Sequence, residues 1–299
     1  MGTWNGFFRE FPPFLKELRH EHYDAVIDLQ GLLRSAIFSR LASAEIHAGP
    51  EKPKEPLSRF CYGAKMTFPG SVHHALEKNN AMIQSLFPDK KFNFSFLLPE
   101  NPEKREVFWT LLRQEAVLQA DSGTALQEVA GEKQRKILPR SVGFAPGARW
   151  KSKQWGSAFF AAVIRNMHEQ QSGLRFFLFG SKAEQHLSRE ILAQTAGIPV
   201  IDLCGKTTMG QLVEGIRAMS LFVSNDSGPM HIAAATGTPV AAMFGPTRPD
   251  LTGPYCVRKQ VFEPELTCIH CFKRYCDTEI CHERLDPAEV AAQSLRLMK

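Results

Sequence analysis

The 299-residue chain has no apolar run near the roughly 20 residues that a membrane-crossing helix requires; its longer apolar stretches, such as Phe176–Phe179 and Ile232–Ala235, fall far short. Its first residues also lack the basic start and small-residue cleavage site of a secretory signal, because Arg9, Glu10, Pro12 and Pro13 interrupt Phe7, Phe8, Phe11 and Phe14. A strong charge of either sign is missing. The net charge of +5 can help hold an anionic substrate or meet an anionic membrane surface, and is too small to argue for nucleic acid. No internal repeat or low-complexity tract is present, which excludes collagen, coiled coil and disordered classes. The cysteines do not form a secreted disulfide framework either: seven is an odd number, and Cys61, Cys204 and Cys256 stand singly. That usage suits a reducing compartment, and the expected location is cytoplasmic.

What is present is an ordinary globular composition, 43% apolar and 22% charged, over a length that suits two domains of about 150 residues each. A helical pattern around Phe14, Leu15 and Leu18 precedes the apolar run Tyr23–Leu29, which reads as a buried strand. Leu32, Leu33, Ala36, Ile37 and Leu41 then recur at helical spacing, and a second helical pattern runs from Val72 to Leu86. The stretch with Pro99, Pro102 and the charges Glu103 to Arg105 reads as polar connection, and residues 118–140 carry no strong pattern. A domain boundary is therefore expected near 138, giving domains 1–138 and 139–299. In the second, strands are predicted at 141–145, 174–179, 200–203, 221–224 and 239–244, alternating with helices at 157–170, 183–194, 209–219 and 230–236. Strands apolar throughout, alternating with helices, predict an α/β domain with a parallel sheet covered on both faces. Ligands of such doubly wound domains sit at the carboxyl ends of the strands.

The most informative stretch follows the strand at 221–224: Asn225-Asp-Ser-Gly-Pro-Met-His231, then the small residues to Gly237 and Phe244-Gly-Pro-Thr247. Asp226 and Ser227 suit a helix N-cap, Pro229 a first turn and Gly237 the residue after the last turn. The free amides and positive dipole end of that helix suit a phosphate. Asp226 as a simple cap and His231 as a packing residue remain open alongside. After the first strand of this domain, Arg149, Lys151 and Lys153 stand where cations can neutralise a leaving diphosphate, or form a solvated basic loop. Past the next strand, Glu184 can accept from ribose hydroxyls or act as a plain first-turn acid.

These residues carry a resemblance. Ser224 to Thr247 and Lys153-Gln-Trp155 resemble signatures of glycosyltransferase family 9, the ADP-heptose:lipopolysaccharide heptosyltransferases. Tyr23 to Ser35, Glu55 to Tyr62 and His74 to Lys78 are most similar to the heptosyltransferase I branch. The resemblance covers nearly all of residues 20–299. It implies a GT-B fold of two Rossmann-like doubly wound domains and inverting transfer of heptose, without a catalytic metal, from ADP-heptose to the Kdo–lipid A acceptor. It also implies a cytoplasmic protein peripheral to the inner membrane. By position Lys153 meets the diphosphate, Glu184 the adenosine ribose, Asp226 the heptose hydroxyls, Ser227 and Gly228 the phosphates, and His231 sits nearby. Arg34, Arg59 and Lys65 can contact anionic acceptor sugars or be solvated surface.

One departure accompanies the match. The family opens with a strand, a glycine turn and an Asp acting as general base, whereas the first Asp here is Asp24. The opening βα units are expected to be missing, leaving the first domain truncated and without its base. Asp28, near a strand end, is the nearest substitute, against the commoner reading of a carboxylate bonded to loop amides. A non-catalytic ADP-sugar-binding remnant and a GT-B transferase with another sugar donor therefore stand as alternatives. Finally, Cys268, Cys271, Cys276 and Cys281 gather four thiols in fourteen residues. Their spacing permits a structural zinc, although x4 between later ligands is tighter than in common sites. Redox pairing and reduced thiols stand beside it. Asp286 and Pro287 open a terminal helix.

Overall fold

In the computed structural model, which describes residues 4–92, 95–118, 137–278 and 280–298, the chain divides into two units after residue 94. The first contains helix α1 (Trp4–His20), strand β1 (His22–Ile27), α2 (Leu33–Leu41), β2 (Ser43–Pro50), β3 (Ala64–Met66) and α3 (Ala75–Leu86). Its three described strands are parallel in the order β1-β2-β3. Strand β1 is shorter than the apolar run predicts and only half buried, with Tyr23 41% exposed. The core is small: Ala48, Met66 and Met82, backed by Ile27, Leu29, Ala64 and Leu86.

One polar cluster organises the carboxyl edge of this sheet. Asp28 is buried; its Oδ1 accepts from the amides of Gln30 and Gly31 at 2.8 and 3.3 Å, and its Oδ2 from the hydroxyls of Ser35 and Tyr62 at 2.8 and 2.6 Å. Burial, followed by the bond to Asp28, raises the Tyr62 pKa well above its ordinary value. The Tyr62 ring lies directly over Gly49, where a Cβ would stand 2.4 Å from three ring carbons. A glycine is required by that close approach.

The second unit begins with α4 (Pro102–Leu118). It continues through β4 (Ser141–Ala145), α5 (Ser157–Gln170), β5 (Arg175–Leu178), α6 (Gln185–Gln194), β6 (Val200–Asp202), α7 (Met209–Ala218), β7 (Leu221–Asn225) and α8 (Gly228–Thr236). The remaining elements are β8 (Val240–Met243), α9 (Pro249–Thr252), β9 (Lys259–Phe262), α10 (Ile280–Glu283) and α11 (Pro287–Arg296). All six strands are parallel in the order β6-β5-β4-β7-β8-β9. The apolar runs have a simple cause. Side chains alternate across a strand, so Phe176 and Leu178 join Phe144 and Phe160 on one face while Phe177 and Phe179 join Phe108, Trp109 and Phe222 on the other. Both faces are covered, the first by α5 and α11, the second by α4, α7 and α8. From β4 the chain runs outward to β5 and β6, then returns to β7 on the opposite side. That reversal between β4 and β7 is the switch point at which such sheets open a crevice.

The units part after 94 rather than at 138, because the segment read as polar connection holds α4. Phe108, Trp109, Leu112 and Ala116 are fully buried on its inner face, and Gly215 of α7 admits the Phe108 ring: a Cβ there would stand 2.7 Å from it. Its charges are structural as well. Buried Glu214 accepts from the Asn101 amide and pairs with Arg105 and Arg217, while Arg217 donates to the Leu98 and Pro99 carbonyls. Pairing with Glu100 and Glu214 raises the Arg105 pKa. The patternless stretch expected at 118–140 lies largely outside the described residues.

Candidate active site

Sequence and topology converge on the carboxyl edge of β4, β5 and β7. Strand β7 ends in Asn225, fully buried, whose amide group donates to the Pro146 carbonyl and accepts from the Trp155 amide at 2.7 and 3.2 Å. This ties the whole 146–155 loop to β7 and fixes Lys153 opposite Asp226. The Lys153 Nζ stands 2.6 Å from Asp226 Oδ2, with Lys153 17% and Asp226 6% exposed. Thr247, at the end of the segment after β8, donates to the same oxygen at 2.6 Å. The ammonium also lies 4.6 Å from the centre of the Trp150 ring.

Helix α8 starts immediately after Asp226. Ser227 is its N-cap and Pro229 lies in its first turn, as the sequence predicts, and Gly237 follows its last turn at φ +76°. Asp226 itself does not cap. The Ser227 hydroxyl makes no capping bond either, and stands 3.1 Å from the Ser224 hydroxyl. The start of α8 is thereby without a side-chain cap from Ser227, an arrangement that suits an anion. Beside it opens a cavity of about 310 Å³ lined by Gly147, Arg149, Glu184, Thr208, Met209 and Gly228, among others. Glu184 closes a capping box, its Oε2 accepting from the Ser181 amide and hydroxyl at 2.6 and 2.7 Å. Its other oxygen faces Gly147, whose Cβ would fall 1.8 Å from it.

The structure therefore brings Lys153, Asp226, Ser227, Gly228 and Glu184 to one edge. His231 is half-buried on α8, one turn in, and Lys151 is exposed. Asn225 and Thr247 lie within the same motifs, and nothing in the local pattern signals their partners, which are 79 and 21 residues away. Of the cations in the first unit, Arg34, Arg59 and Lys65 are all exposed. Asp28 has both oxygens committed to the four hydrogen bonds described above. Among the described residues, the loop with the four cysteines included, no three His, Cys, Asp or Glu side chains are drawn together as a group that could hold a metal ion. Burial raises the pKa of the Cys281 thiol, and the neighbouring thiols add to the rise.

The two α/β units, the second with a helix starting at the switch point of its sheet, define a GT-B fold of the glycosyltransferase kind. The chain belongs to glycosyltransferase family 9 (heptosyltransferase), whose family model matches residues 13–282. It is 29% identical to lipopolysaccharide heptosyltransferase 1 of Pseudomonas aeruginosa, across 97% of this chain and 77% of that protein. It is 36% identical to lipooligosaccharide heptosyltransferase 2 of Campylobacter jejuni, but across 55% of this chain and only about half, 52%, of that relative's length. Among solved structures, the family 9 glycosyl transferase of Veillonella parvula shares the fold at a TM-score of 0.75 with 20% identity, covering 100% of this chain and 80% of that one. The E. coli heptosyltransferase WaaC with ADP does so at 0.69 with 22% identity, covering 99% and 79%. Among the described residues no helix is long and apolar enough to cross a membrane.

Proposed function

We propose that the chain binds ADP-heptose at the second unit's crevice and serves the transfer of heptose, with inversion, to the Kdo region of the lipopolysaccharide inner core. The observation that carries this reading is the Lys153–Asp226–Thr247 cluster at the start of α8, beside a cavity that Glu184 and Gly147 border. As the sugar–phosphate bond breaks, ADP gains negative charge. Lys153 and the amides of Ser227 and Gly228 stabilise that charge, the lysine by exchanging Asp226 for the diphosphate. Asp226, released from Lys153, is left to accept from heptose hydroxyls, and Glu184 from the ribose. His231 stands near this group. No catalytic metal enters the scheme. The exposed cations Arg34, Arg59 and Lys65 of the first unit suit the anionic Kdo–lipid A acceptor, and the same chemistry supports a cytoplasmic enzyme in peripheral contact with the inner membrane.

A second reading, an ADP-sugar-binding protein without transfer, is favoured by one observation: Asp28, the carboxylate nearest a base role, has both oxygens engaged by the Gln30 and Gly31 amides and the Ser35 and Tyr62 hydroxyls. A mass-spectrometric transfer assay with ADP-heptose and Kdo–lipid A, run beside a calorimetric titration with ADP, separates the two. Product is the expected result. Binding without product establishes the second reading, and the absence of both removes the donor site. The spacing of the four cysteines keeps a structural zinc within the proposal, one that would have to draw the thiols together on binding. Metal analysis of protein purified without chelator is expected to give one zinc per chain, and a metal-free protein would end that assignment.

A further inference from the structure

The loop that carries the cysteines holds Ser152 by every polar atom that residue has. The Ser152 amide donates to the Arg274 carbonyl at 3.3 Å, its hydroxyl to the Lys273 carbonyl at 2.6 Å, and its carbonyl lies 2.8 Å from His282 Nε2. A carbonyl only accepts, so Nε2 carries the proton in that contact. Ser152 is buried, and the next residue is Lys153. The same loop also reaches the opposite wall of the site. The amides of His270 and Phe272 donate to the carbonyls of Gly245 and Pro246 at 3.0 and 2.7 Å, immediately before Thr247, which anchors Asp226. Both residues sit at positive φ, +64° and +55°, a conformation non-glycine residues adopt only when surroundings impose it. The Arg274 guanidinium lies 5.4 Å from the centre of the Trp150 ring that also faces the Lys153 ammonium.

We infer that His282 is a positioning residue for the donor site: by donating to the Ser152 carbonyl it sets the station of Lys153, and the 268–282 loop thereby controls affinity for a nucleoside diphosphate. The inference rests on Lys153 being the diphosphate ligand, and does not depend on any metal. The His282 ring lines the same recess as Lys153 and Asp226, with its Nε2 turned to the Ser152 carbonyl. It acts through one peptide unit, on a contact whose displacement by about 1 Å can cost two orders of magnitude.

The test is calorimetric titration of the full chain with ADP, with thermal melting recorded on the same samples. His282→Ala is expected to weaken ADP about tenfold. His282→Gln, whose amide N–H reaches a similar distance, is expected to restore affinity to within about threefold of the unaltered chain. Ser152→Ala, which removes only the hydroxyl bond to Lys273, serves if His282→Ala folds poorly, and a weakening of about threefold is expected. Undiminished ADP affinity in both His282→Ala and Ser152→Ala, with Lys153→Ala impaired, would overturn the inference alone. Equal losses in His282→Ala and His282→Gln would overturn it too, since a bulk packing role predicts them. If Lys153→Ala also binds ADP normally, the donor-site reading falls and takes this one with it.

Discussion

Replacing Lys153 by Ala is expected to weaken ADP binding by ten- to a hundredfold and to lower any transfer rate by on the order of 10²–10³. Lys153 and Asp226 are both largely shielded from water, so the ammonium's hydrogen bond to an incoming phosphate is charge-assisted and little screened; such bonds contribute about 1.5–3 kcal/mol. Every 1.4 kcal/mol is a factor of ten. Removing the cation has a second effect in the same direction, because a diphosphate would then enter beside the Asp226 carboxylate with no ammonium between the two. Titration with ADP and single-turnover rates check both figures. Unchanged affinity and rate, with the fold intact, would dismiss Lys153 as a ligand.

Substituting Gly49 with Ala is expected to cost the first unit about 2–5 kcal/mol while leaving the second intact. The added methyl meets the Tyr62 ring at 2.4 Å, well inside contact distance. The ring has no free direction, since its hydroxyl is fixed to buried Asp28. Overpacking costs about 1–3 kcal/mol, and a buried hydrogen bond broken by the displaced ring about as much again. A unit whose core is Ala48, Met66, Met82 and a few neighbours has little stability to lose. Thermal unfolding should then resolve into two transitions, the lower one displaced and the upper unmoved, with ADP binding retained. A single unshifted transition would show that the ring can be accommodated elsewhere.

The second unit was legible in the sequence to within a residue or two for most strands, because a sheet buried on both faces needs unbroken apolar runs. Helix α8 was equally clear from Ser227, Pro229 and Gly237. The elements that stayed hidden had no such signature. Strand β2 contains His47, Gly49 and Pro50, β3 has only three residues, and the outer strand β9 mixes Lys259 and Gln260 with two apolar positions. Helix α4 was masked because its prolines and charges lead, although Phe108, Trp109, Leu112 and Ala116 carry a helical spacing behind them. At the site, motif resemblance found the residues that face a ligand. It missed the work of Asn225, Thr247, Ser152 and His282, whose partners lie 21 to 130 residues away in sequence. Local pattern contains no record of such pairings.

Helix α4 also decides where the polypeptide can be cut. A fragment begun at residue 139 would contain every strand of the six-stranded sheet, yet it would strip Phe108 and Trp109 from Phe177, Phe179 and Phe222 and leave Glu214 and Arg217 without Arg105 and the Leu98 and Pro99 carbonyls. Such a bared aromatic face, rimmed by stranded charges, is an aggregation surface. Limited proteolysis and domain-swap engineering alike should respect the division after residue 94, which keeps α4 with the sheet that it covers.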